Sequence, residues 1–177
     1  MVRSQRKLQA CLCRGACVEV DSNTEAVEKK GFKLGCISCK KRGEVPASAF
    51  VDWYFKEKVD HNFTHVYRYE NKEANITDER FFERLVWNGS KHTNDLQDGS
   101  IFILNVTFND TGRYKCIFSR TLMYPAYEFS TFPNKTIDMT VEDFSGWRRK
   151  ALRESAPEYL AIASESKDNC AAVQVAE

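Results

Sequence analysis

Several things are scarce in this sequence, and each absence removes a class of function. No apolar run in the 177 residues approaches the roughly 18 to 20 consecutive residues of a membrane-crossing helix. The opening MVRSQRKLQACLC also lacks the apolar stretch of roughly 7 to 15 residues that marks a secretory signal. After Arg6 and Lys7, only Leu8, Ala10, Cys11, Leu12 and Cys13 are apolar, broken by Gln9 and ended by Arg14. Charge bias is missing too. Lys and Arg number 26 against 25 Asp and Glu, so nothing favours nucleic acid as a partner. We find no glycine-rich phosphate loop, no G-x-S-x-G, no H-E-x-x-H and no internal repeat. An enzyme is not expected, nor a cofactor or a metal. His61 and His65 in HNFTH have the i, i+4 spacing of a helical metal clamp, but the stretch has strand composition and no third ligand, so both read as surface histidines.

What is present is β-pattern. From Cys17 to Val141 short runs alternate apolar and polar residues between polar turns, as in an all-β sandwich. Successive side chains of a strand point to opposite faces. FKLGC therefore puts Phe32, Leu34 and Cys36 together. VDWYF does the same for Val51, Trp53 and Phe55, with Asp52 and Tyr54 opposite. SIFI gathers Ile101 and Ile103, YKCIF gathers Tyr114, Cys116 and Phe118, and IDMTV gathers Ile137, Met139 and Val141. Three regions follow: a basic, unpatterned segment over 1–15, a β-domain over 16–142, and a polar tail over 143–177. The tail reads as mostly disordered, with a short helix expected over Arg148–Glu154 and stopped by Pro157.

Seven cysteines are many for a reducing compartment, and the odd count leaves at least one unpaired. Cys36, Trp53 and Cys116 have the order of an immunoglobulin sandwich, in which a buried Trp packs on a disulfide between the sheets. Tyr114, two residues before Cys116, fits the tyrosine corner, with Asp110 and Gly112 supplying the preceding turn. The 80 residues from Cys36 to Cys116 suit the variable type with its two additional strands. Arg84, ahead of LVW, is the expected partner of Asp110. Cys39 lies three residues after Cys36 and so faces away from the core; Cys17 on the first strand is its natural partner. The pairing is then Cys36–Cys116 and Cys17–Cys39, leaving Cys11, Cys13 and Cys170. The competing reading makes CISC half of a zinc site completed by Cys13 and Cys17. It leaves the alignment of Trp53, Tyr114 and Cys116 unexplained.

Asn-x-Ser/Thr occurs at Asn62, Asn75, Asn88, Asn105, Asn109 and Asn134, all within the β-domain. Glycosylation is expected on most of them, least on Asn62 and Asn75.

CVEVDSNTEAV, CISCKKR, RLVWNGS, DLQDGSIFILNVTFNDTGRYKC and EYLAIASESKDNCAAVQVAE together resemble the voltage-gated sodium channel beta subunits, of the beta-1 type with beta-3 close. The resemblance spans about residues 15 to 142 and 154 to 177. It implies an extracellular variable-type immunoglobulin domain at the plasma membrane. That domain is bound non-covalently to a pore-forming alpha subunit, whose gating and surface expression it modulates. Cell adhesion through the domain is the alternative role. The same resemblance implies the two disulfides above and glycans at Asn88, Asn105, Asn109 and Asn134. It also implies a cytoplasmic tail in which Tyr159, opening YLAI, is a phosphorylation or sorting site for a cytosolic adaptor. The family's signal and membrane helix have no counterpart here, since MVRSQRKLQACLCRGA and EDFSGWRRKALRESAP stand in those places. A secreted or shortened form is the alternative localisation.

Overall fold

The computed structural model describes residues 17–21, 24–40 and 45–153. Chain contacts divide it into two units, Met1–Val141 and Glu142–Glu177. Cys11, Cys13, Cys170 and Tyr159 lie outside the described residues, as does the end of the expected helix from Glu154 onward.

The first unit is built from twelve strands among the described residues. In chain order they are β1 (Val18–Val20), β2 (Thr24–Val27), β3 (Phe32–Leu34), β4 (Cys36–Ser38), β5 (Ala47–Glu57), β6 (Thr64–Glu70), β7 (Glu73–Ile76), β8 (Leu85–Trp87), β9 (Ile101–Ile103), β10 (Gly112–Met123), β11 (Glu128–Thr131) and β12 (Asn134–Glu142). The larger sheet runs β2-β12-β10-β5-β6-β7, with β11 also paired to β10. Facing it are the ladders β3-β9-β8 and β1-β4. β3 and β4 follow each other across Gly35, whose amide donates to the Asp21 carboxylate at 2.7 Å. A Cβ on Gly35 would lie 2.5 Å from that carboxylate oxygen, so any larger residue would push the Asp21 side chain aside.

The apolar alternation ends up in the core. Leu34, Cys36, Val51, Trp53, Phe55, Ile101, Ile103, Tyr114, Cys116, Phe118, Ile137 and Met139 are all buried. Burying each of the larger of these side chains is worth roughly 1.5–3 kcal/mol. The Trp53 indole N–H donates to the Gly99 carbonyl at 2.9 Å, so the ring enters the core with its polar atom satisfied. Cys36 is bonded to Cys116, with Cα atoms 6.5 Å apart, and Cys17 to Cys39 at 5.3 Å. The two thiols of CISC therefore go to different partners, which rules out a shared zinc site.

In the second unit a helix spans 144–153, here α1. It starts four residues earlier than the sequence pattern predicts. Asp143 is the reason: its carboxylate accepts from the Gly146 amide and, at 2.9 Å, from the Ser145 hydroxyl. That satisfies donors left over at a helix start.

Candidate docking surface

The scaffold's lower turn is fixed by one buried carboxylate. Arg84 donates to both Asp110 oxygens at 2.9 Å, and the Thr107 amide donates to Oδ2 of Asp110 at 2.7 Å. The Tyr114 hydroxyl donates to the Asp110 carbonyl at 2.9 Å, the hydrogen bond of a tyrosine corner. Burial pushes the Tyr114 phenol well above its ordinary pKa, and the Asp110 carboxylate adds to that. Gly112 does not supply left-handed backbone here, contrary to the turn expected from the sequence. Its role is close approach, since a Cβ would lie 2.5 Å from the Lys56 carbonyl oxygen.

The outer face of the larger sheet carries charges rather than apolar surface. Register places Asn134, Ile117, Asp52, Arg68 and Asn75 in one cross-strand row over β12, β10, β5, β6 and β7. The next row holds Thr136, Lys115, Tyr54 and His65. A bulge interrupts β6 opposite Trp53 and Tyr54. It absorbs Val66, so His65 and Arg68 come to the same face although three residues apart. Both hold Asp52: Arg68 through two hydrogen bonds of 2.9 and 3.1 Å, His65 through one of 2.9 Å. His65 also meets the Thr77 hydroxyl at 2.9 Å. His61 is exposed, as expected, but His65 is a half-buried, engaged side chain. Ring–cation contacts complete the face, Arg68 over Phe50 at 4.6 Å and Lys115 over Phe63 at 4.4 Å.

Apolar exposure is concentrated elsewhere. Phe102 and Ile117 are half-buried. The β10–β11 hairpin instead presents Met123, Tyr127 and Phe129 to solvent, followed by Phe132 just past β11, with Tyr124 and Tyr127 stacked at 4.8 Å. This hairpin is the candidate docking patch. Alternation could not reveal it, because β11 shows no regular in–out pattern.

Next to the hairpin, Arg120 is buried on β10. It donates to the Ser38 hydroxyl and the Leu96 carbonyl, and its Nε lies 3.9 Å from Asp95. The buried Lys40 ammonium lies 2.7 Å from the same carboxylate. Burial pulls the Arg120 guanidinium below its ordinary pKa, and Asp95 partly restores it. The sequence held a signal for this cluster: Arg120 continues the inward positions Tyr114, Cys116 and Phe118.

All six sequon asparagines are exposed. Asn105 has φ 48°, a left-handed turn conformation that Asn tolerates better than most residues. Among the described residues, no three His, Cys, Asp or Glu side chains gather as metal ligands, and no helix is long and apolar enough to cross a membrane.

Comparison with known proteins agrees with this architecture. The immunoglobulin V-set domain family matches residues 19–137. "Sodium channel regulatory subunit beta-3" of Macaca fascicularis is 37% identical, covering 92% of this chain and 89% of the relative. Its Homo sapiens namesake is also 37% identical, covering 90% and 88%. Among solved structures, murine CRIg superposes with TM-score 0.57 at 17% identity, covering 71% of this chain and 96% of that one. At that identity the likeness concerns the fold alone. The chain belongs to the immunoglobulin V-set domain family and, within it, to the sodium channel regulatory beta subunits.

Proposed function

We propose that this protein is a non-catalytic auxiliary subunit of voltage-gated sodium channels. It docks non-covalently on the pore-forming alpha subunit and modulates its gating and surface expression. The observation that carries this is identity at 37% extending over 92% of the chain. Similarity of that extent covers the tail as well as the sandwich.

The contact we favour is the β10–β11 hairpin. It brings exposed Met123, Tyr127 and Phe129, with Phe132 just past β11, to an extension of β10, which is also paired to β5 and β12 in the larger sheet. A bound subunit shifts an equilibrium only by its differential affinity for the two states. A preference of roughly 1–2 kcal/mol for one conformation of the voltage-sensing parts is enough to move gating visibly. Glycans on the exposed sequon asparagines belong to this reading, as does an extracellular position for the sandwich. Tyr159 is assigned to a cytosolic adaptor on the family's pattern, and adhesion through the sandwich is the remaining role.

Co-expression with a channel alpha subunit, read by voltage clamp and surface biotinylation, tests the proposal. A shift in voltage dependence or current density is expected, and Phe129→Asp should abolish it while the sandwich still folds. Unchanged currents in cells that nonetheless aggregate would favour adhesion.

A further inference from the structure

The segment after the last strand has a surface of its own. Helix α1 begins at Phe144 and carries Trp147, Ala151 and Leu152 at i+3, i+7 and i+8, one stripe of an α-helix. All three large apolar side chains are exposed: Phe144 at 55%, Trp147 at 43% and Leu152 at 61%. Phe144 and Trp147 stack with centroids 6.2 Å apart, forming a flat aromatic end to the stripe. Arg149, Lys150 and Arg153 occupy the opposite side. Arg148 sits within the stripe, where a long stem can lie on apolar surface while its head stays polar. Between 144 and 153 there are four cations and no carboxylate.

An aromatic stripe with a cationic reverse side, whose nearest carboxylates Glu142 and Asp143 sit only at the helix start, fits a bilayer–water interface bearing negative charge. Aromatic rings settle at headgroup depth, and the cations meet anionic lipid. A soluble apolar partner would cover the stripe but make no use of the four cations, whereas an anionic surface engages both. We infer that α1 is an interfacial membrane-binding helix that docks this protein on anionic phospholipid, lying in the surface plane and not crossing it.

Co-sedimentation of the full chain with vesicles tests this. Binding is expected to phosphatidylcholine–phosphatidylserine vesicles and not to phosphatidylcholine alone, and to weaken with salt. Each cation near an anionic surface contributes about fivefold. Arg149→Gln/Lys150→Gln/Arg153→Gln should therefore reduce partitioning on the order of 100-fold. Because these side chains are exposed, the variant keeps the sandwich, which near-ultraviolet circular dichroism verifies. Acyl-brominated lipid should quench a component of the tryptophan emission, and Trp147→Phe should remove that component. Equal binding to neutral vesicles overturns the inference. So does loss of binding with Arg6→Gln/Lys7→Gln but not with the helix variant. Binding to neither vesicle, with calmodulin as an acidic probe captured instead, overturns it in favour of a protein partner.

Discussion

Asn75 and Asn134 stand at opposite ends of one cross-strand row on the outer face of the larger sheet. Four inter-strand steps of about 4.8 Å separate them by about 19 Å. Ile117, Asp52 and Arg68 lie between. Glycans at both ends would flank this face. Expressed in a secretory host, the protein should lose one glycan with Asn75→Gln and another with Asn134→Gln, as read by intact mass. An unchanged mass for Asn75→Gln would restrict the shielding to one edge.

Arg84→Ala removes both hydrogen bonds to Asp110 and strands a carboxylate that is 3% exposed. Breaking a buried pair from one side costs about 3 kcal/mol. Urea unfolding should show that loss with an unchanged slope. A change below about 0.5 kcal/mol, the range of ordinary surface substitutions, would mean that Thr107 alone suffices to hold Asp110.

Replacing Cys36 and Cys116 together by Ala should destabilise by about 4 kcal/mol, because the bridge closes a loop of 80 residues. The Cys17–Cys39 bridge closes a shorter loop of 22 residues, so its removal should cost less. Chemical denaturation of the two double variants compares them directly.

Asp95 serves two buried cations, Lys40 and Arg120. Asp95→Asn should therefore destabilise by about 3 kcal/mol. Arg120→Met should cost less in the Asp95→Asn background than in the native protein, since the guanidinium it removes has already lost its carboxylate. Strict additivity in the double-mutant cycle would show the sites to be uncoupled.

At high pH the tyrosines decide stability. Burial raises the Tyr67 and Tyr114 phenols above their ordinary value of 10.0. Below pH 10 both states keep these protons, and the native state has its full stability. Above it the unfolded chain ionises first, so stability falls as pH rises toward the folded values. Each tyrosine contributes a slope of about 1.4 kcal/mol per pH unit. The part of the phenolate absorbance that Tyr67→Phe and Tyr114→Phe remove should rise together with loss of near-ultraviolet dichroism. Appearance of that part in a still-folded protein would contradict the burial of both rings.

Period-two alternation determined the fold class by itself. Trp53, Cys36, Cys116 and Tyr114 fall on inward faces whatever the details of pairing, because a strand offers its side chains only two directions. Their order along the chain then selected an immunoglobulin sandwich, the 80 residues between Cys36 and Cys116 selected its variable type, and the separation of Cys36 from Cys39 by an odd step sent the two thiols to different partners. The tertiary structure decided what depends on neighbours distant in sequence. A bulge at Val66 changed His65 from a surface residue into a ligand of Asp52, since one added residue reverses the face of everything before it. Arg120 could be read as inward, but its compensation by Asp95 and Ser38 requires loops that meet only in the folded chain. The row linking Asn75 to Asn134 exists only because five strands align in one register. No local pattern encodes that alignment, for register is set by the packing of the whole sheet.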